Sequence, residues 1–174
     1  VPSRNGGAEA TFPDMVSAVR DLGRVDGAAS WVLMVLVAHD WMLGSFDPAA
    51  QDEVYAAGPD ALVPGSLAPA GSARRVDGGW EVTGRWPRAS GADHGACYLH
   101  RTIEPADRGR PRLVHVVAPR SDVVVDDTWH PIGLRGTGSG DVVAEGMFVP
   151  DHRAMDSGVL LGGRSPHADL HPTR

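Results

Sequence analysis

The spacing of polar and apolar positions changes near residue 60. Before it the period is helical. Met15, Val16, Val19 and Leu22 recur at intervals that predict a helix over residues 13–23, with Gly23 at its end. Asp26 is a capping residue for a second helix over 27–43, apolar nearly all round from Trp31 to Val37 and so expected to be buried on most faces. It carries one oddity, His39, followed by Asp40 and Trp41. Asp47-Pro48 opens a third helix, to about residue 57, with proline at the favoured first position.

Beyond residue 60 the period falls to two. Short strands are predicted at 61–66, 72–76, 79–86, 95–101, 112–118, 122–126 and 141–149, separated by Gly, Pro and Asp turn signals. Such spacing suggests a small antiparallel barrel or sandwich. From 151 to 174 the periodicity disappears, and this stretch reads as a linker or disordered tail. The chain is thus an α+β protein, with helices over 1–60 and a β-domain over 61–150.

The stretch 78–91 stands apart. Trp80, Val82 and Gly84 alternate with Glu81, Thr83 and Arg85, after an Asp77-Gly78 turn. Pro87 then interrupts the ladder, and Ser90-Gly91 follows. A strand ending at a loop accounts for this. A flat ring, a break in pairing and a hydroxyl beside a glycine are also what opens a sheet edge to a flat ligand.

Composition narrows the classes. The 174 residues suffice for one domain with a real core. A net charge of −6 argues against a nucleic-acid partner. All 16 basic residues are arginine, which excludes a Walker phosphate loop and Schiff-base chemistry. The single cysteine, Cys97, excludes internal disulfides and fits a reducing, cytoplasmic setting. The longest apolar run, 31–38, is too short for a membrane span.

Candidate chemistry is sparse. His39 reads as a core histidine or as a base facing a pocket. Ser66, in Pro64-Gly65-Ser66, and Ser90 each read as turn chemistry or as hydroxyls toward a ligand. Neither has a nucleophile elbow around it. The run from Gly133 to Gly140 lacks dinucleotide-loop spacing and reads as a hairpin or a loop over a pocket. His94 with Cys97, and His167 with His171, are two ligands each and make no metal site.

In series these stretches resemble the acyl-CoA dehydrogenase superfamily, and within it the two-component flavin-dependent aromatic monooxygenases. The resemblance is carried by Gly65-Ser66 with Pro69, Gly71 and Ala73, and by Asp77 to Trp80 through Gly84-Arg85-Trp86. Ser90-Gly91 with Asp93-His94, and Trp129 through Gly133-Leu-Arg-Gly-Thr-Gly-Ser139 to Phe148-Val149-Pro150, complete it. It implies a helical N-terminal domain that begins before Val1, a central β-domain, and a C-terminal four-helix bundle missing from this chain. It implies reduced FMN (or FAD) and molecular oxygen, a separate flavin reductase, a small phenolic or polycyclic aromatic substrate and a C4a-hydroperoxide route. A homo-oligomer, usually a tetramer, or a complementing chain would complete the assembly, with no nucleic acid, membrane or metal involved. His39 would contact the substrate hydroxyl, Ser66 the flavin edge or substrate, and Ser90 flavin N5. Trp86 would be the aromatic wall, with Arg88 and Ala89 beside the flavin. Arg88 departs from the pattern, which usually has an aromatic there. Dehydrogenation of an acyl thioester, N-oxygenation and a non-catalytic partner subunit are the alternatives. The acidic residue that such dehydrogenases carry around Ala68 is lacking.

Overall fold

The computed structural model describes residues 1–106, 108–162 and 166–167. Three capped helices open it. Thr11 and Asp14 form a reciprocal capping box at the start of α1 (Phe12–Gly23). The Asp26 carboxylate accepts from the amides of Ala28 and Ala29 and starts α2 (Gly27–Leu43). Asp47 starts α3 (Pro48–Val54), which stops short of residue 57 where Tyr55 leaves helical geometry. The Tyr55 hydroxyl donates to Asp40 of α2 at 2.9 Å and ties the two helices. Asp26→Ala should cost about 1 kcal/mol in a urea melt, and Asp26→Asn only a few tenths. Equal losses would show that the carboxylate does something other than cap.

The apolar helix α2 is less buried than its composition predicts. Only Ser30, His39 and Leu43 are buried, while Trp31 and Trp41 remain 47% and 40% exposed. It packs on α1 and on the 3-10 turn at Arg135–Thr137. Its C-terminal end reaches the second core through Met42 and Leu43, while Val32 to Val37 are only half-buried.

Eight strands follow: β1 (Gly65–Ser66), β2 (Ser72–Val76), β3 (Gly79–Ala89), β4 (Cys97–Glu104), β5 (Arg112–Pro119), β6 (Val124–Asp126), β7 (Gly140–Pro150) and β8 (Ala154–Asp156). Their hydrogen-bonded order is β6-β7-β3-β2-β4-β5-β8, with β1 also on β4, and mostly antiparallel. β1 and β2 both run parallel along β4, at Leu99–His100 and at Ile103, with the turn through Ala68 between them. The path is open rather than a closed barrel. The sheet nevertheless curls, because inward side chains of non-neighbouring strands meet in one core: Val82 and Trp86 of β3, Val114 and Val116 of β5, Val142 of β7. Period-two alternation on β4 and β5 sends Leu99 and Val117 to the opposite face. There they pack with Leu43, Phe46 and Val54 in a second core that joins helices to sheet.

Two strand boundaries differ instructively from the sequence pattern. β3 does not stop at Trp86 but continues to Ala89, with a register shift between Trp86/Val142 and Ala89/Gly140. Pro87 and Arg88 sit in that irregularity, where a missing amide proton breaks no ladder bond. Nor is all of 151–174 a tail. β8 pairs with β5, Met155 enters the second core, and Asp156 caps the short helix α4 (Ser157–Leu161). Three residues are too few to show a period. His171 lies outside the described residues.

Candidate active site

A cavity of about 450 Å³ lies between α2, β1, the end of β3 and the loop after Trp129. His39, Ser66 and Ser90, separated widely in sequence, all line it. Each is brought there by a different device.

His39 is on the inner side of α2, 3% exposed. Its Nδ1 lies 2.9 Å from Val63 O. A carbonyl only accepts, so Nδ1 carries the proton and Nε2 is left as a lone pair. Burial lowers the His39 pKa below the ordinary 6.5, opposed by the bond to Val63. The ring is therefore neutral at pH 7, with one nitrogen able to accept a proton.

Ser66 is placed by the parallel contact of β1 with β4. That contact needs Gly65: a Cβ there would lie 1.8 Å from Leu99 O. The Ser66 amide donates to Nδ1 of His100 at 3.3 Å. His100 is fully buried, its ring stacked on Trp86 at 4.5 Å and 8°. Desolvation pushes its pKa down to about 3. With Nδ1 accepting, Nε2 carries the hydrogen and has no hydrogen-bond partner among the described residues. Nothing in the sequence around His100 marks it as part of a site.

Ser90 ends a chain of hydroxyls. Trp31 Nε1 donates to Ser90 Oγ at 3.0 Å, and Ser90 Oγ lies 2.9 Å from Ser139 Oγ. Ser139 Oγ is 2.7 Å from Thr137 Oγ1, which donates to Leu134 O at 3.0 Å. Leu134, Thr137 and Ser139 also line the cavity, so the glycine-rich run forms a loop over a pocket. Leu134 at φ 55 and Gly138 at φ 50, both left-handed, fold this loop back onto Ser90.

The walls are apolar: Trp31, Met34, Val35, Leu67, Pro87 and Trp129. The titratable side chains among the lining residues are His39 and Arg88; no carboxylate is among them. Arg88 has a left-handed backbone, φ 59, and its amide donates to Asp141 Oδ1 at 3.4 Å. Its guanidinium has no ion pair among the described residues. The cavity thus suits a flat, largely apolar molecule with polar edges and some negative charge.

No family model matches the sequence. Individual proteins do. The chain is 36% identical to the oxygenase component of an FADH(2)-dependent resorcinol hydroxylase from Rhizobium sp. (strain MTP-10005), over 95% of this chain and 41% of that protein. It is 39% identical to the flavin-dependent monooxygenase oxygenase subunit HsaA of Rhodococcus jostii, over 99% of this chain and 48% of the relative. The crystal structure of 3-HSA hydroxylase from Rhodococcus sp. RHA1 superposes with a TM-score of 0.92 at 35% identity, covering 98% of this chain and 45% of that one. The chain is a relative of flavin-dependent monooxygenase oxygenase components. It shares their acyl-CoA dehydrogenase-like fold, and it spans a little under half the length of these proteins.

Two residues expected at the site lie elsewhere. Trp86 is fully buried, stacked on His100, and its indole N–H donates to Arg101 O at 3.0 Å. It supports the site from the core and is not among the wall residues. The strand alternation explains this, since Trp86 falls on the Val82 face. Ala89 is likewise fully buried in the first core and outside the lining. Aromatic walls come instead from Trp31 and Trp129. No group of three or more potential metal ligands occurs among the described residues. No helix among them is long and apolar enough to cross a membrane.

Proposed function

We propose that this chain carries the flavin- and substrate-facing part of an oxygenase that hydroxylates a phenolic aromatic compound with reduced flavin, FMN or FAD, and molecular oxygen. The observation that carries this reading is His39: buried, neutral, its Nδ1 proton given to Val63 O, in a cavity lined by no carboxylate. Such a histidine accepts the proton of a phenol at Nε2 and makes the ring the more electron-rich phenolate. The apolar walls fit the flat flavin ring and the aromatic substrate. Ser66 and Ser90 offer polar contacts at the ring edges, Ser90 being the residue to meet N5. When bound, reduced flavin supplies the activation of oxygen. The residues around it bind, orient and keep water from the ring. The names of the relatives as oxygenase components favour a separate reductase that delivers the flavin. The partly exposed apolar side of α2, with Trp31 and Trp41 at its surface, favours assembly with further copies or a complementing chain. The lack of an acidic residue in the turn around Ala68 disfavours the thioester-dehydrogenase alternative.

The test is turnover of a phenol by the full-length protein given reduced flavin and oxygen. His39→Gln should lose about 10²-fold in rate at pH 7. That loss should shrink as pH rises toward 10, where the phenol ionises unaided. In the wild type the neutral ring persists above its lowered pKa, so activity should fall only on acidification below the ordinary histidine range. A His39→Gln rate equal to wild type throughout, or no flavin binding by the wild type, would defeat the proposal.

A further inference from the structure

We infer that Thr137 and Ser139 are positioning residues that fix the direction of the Ser90 hydroxyl, and through it make the site prefer reduced over oxidised flavin. The inference rests on the reading above that Ser90 meets flavin N5.

Each of the three hydroxyls has one hydrogen to give. At the far end, Leu134 O can only accept, and Thr137 Oγ1 is 3.0 Å from it. If Thr137 donates there, the 2.7 Å contact with Ser139 must be a donation from Ser139. The 2.9 Å contact between Ser139 and Ser90 is then a donation from Ser90. Trp31 Nε1, at 3.0 Å, can only donate to Ser90. The chain therefore runs Trp31 to Ser90 to Ser139 to Thr137 to Leu134 O. In this direction Ser90 has no proton left for the cavity and presents a lone pair.

The reverse direction has Thr137 donating to Ser139, Ser139 to Ser90, and Ser90 into the cavity. Leu134 O would still accept from Trp129 Nε1 and from the Thr137 amide, both at 3.1 Å. It would lose the Thr137 hydroxyl, however, and Ser90 would regain a partner only if a ligand offered an acceptor. The forward chain thus holds one more hydrogen bond inside the protein, a bias of about fivefold. Ser90, Thr137 and Ser139 are 5%, 2% and 3% exposed, so water cannot readily replace the missing partner.

A lone pair at Ser90 complements N5 of reduced flavin, which carries a hydrogen. It opposes N5 of oxidised flavin, which carries a lone pair. Reversal of the whole chain permits the oxidised form to bind, at the cost of that bias.

The experiment is anaerobic titration of the full-length protein with FMN and FAD, each in oxidised and chemically reduced form. Wild type should bind the reduced form more tightly. Thr137→Val, nearly isosteric, and Ser139→Ala should each narrow the ratio of the two dissociation constants about fivefold. For a two-electron couple this lowers the bound potential by about 20 mV. Thr137→Ser restores a hydroxyl at the same position and should keep the wild-type ratio. If Ser90→Ala narrows the ratio while Thr137→Val and Ser139→Ala leave it unchanged, the directional chain is wrong although Ser90 meets the flavin. If Ser90→Ala itself leaves the ratio unchanged, the placement of Ser90 at N5 fails, and the inference with it.

Discussion

Between pH 6.5 and pH 4 the protein is expected to lose several kcal/mol of stability, most of it above the range in which carboxylates titrate. The cause is histidine burial. His100 accepts the Ser66 amide at Nδ1, lies against Trp86 and is fully buried, with its pKa pushed down to about 3. His115 on β5 is buried, with Nδ1 2.9 Å from Ser157 Oγ, and its pKa is lowered to about 4. Burial lowers His39 in the same direction. The unfolded chain takes up these protons near pH 6.5, whereas the folded chain refuses them until lower pH. Stability from these groups is therefore complete above about pH 6.5 and falls as pH drops. Each pH unit of that interval costs about 1.4 kcal/mol per group, so His100 alone contributes about 3 kcal/mol by pH 4, and His115 somewhat less. Against a total of roughly 5–15 kcal/mol this is enough to unfold a marginal domain. Urea melts at pH 7, 6, 5 and 4 would show it. His100→Gln, whose amide oxygen can accept the Ser66 N–H, should begin less stable but show a flatter pH dependence. Equal stability of the wild type at pH 7 and pH 4.5 would contradict the argument.

These histidines show where sequence reading ends. The three helices were legible because caps and pattern agree: Asp26 followed shortly by the apolar run 31–38 admits little else than α2. The strand register of β3 was legible up to Trp86, and the alternation that defines it already sends Trp86 inward with Val82. The wall role expected of Trp86 came with the family resemblance and its nearness to Ser90, and the register shift at Pro87 and Arg88 uncouples the two. Trp31 and Trp129 reach the cavity through tertiary packing, from elements about a hundred residues apart. His100 gave no signal, because an alternating strand fills such positions with any side chain that packs. β8 was invisible because three residues carry no period, and its place is set by pairing with β5. His39, Ser66 and Ser90 were singled out by the ordered series of motifs. Their convergence on one cavity comes from the fold.

Gly65→Ala is expected to be the most damaging single methyl addition at the site. The added Cβ would lie 1.8 Å from Leu99 O, 2.7 Å from Leu99 C and 3.0 Å from Leu99 N. All three are backbone atoms of β4, which is hydrogen-bonded to β5 along its whole length, so no flexible side-chain end can give way. β1 must lift off instead. That breaks the Leu99 N–H to Pro64 O bond of 2.9 Å and the Ser66 N–H to His100 bond, and it moves Val63 O away from His39. The His39 tautomer, the Ser66 position and the hydrogen bond to His100 Nδ1 share this one close approach. Loss of more than about 4 kcal/mol follows from overpacking combined with buried polar groups left unpaired. Gly78→Ala is the control. Gly65 is not in the left-handed region, so its penalty is contact alone; Gly78, at φ 70, is unsuited to alanine, but nothing lies within 4 Å of the added carbon. It should cost only about 1 kcal/mol, from backbone conformation alone. Thermal melts of the two variants separate contact from conformation. If Gly65→Ala melts no lower than Gly78→Ala, β1 does not rest on β4 as described, and the placement of both Ser66 and His39 would have to be rebuilt.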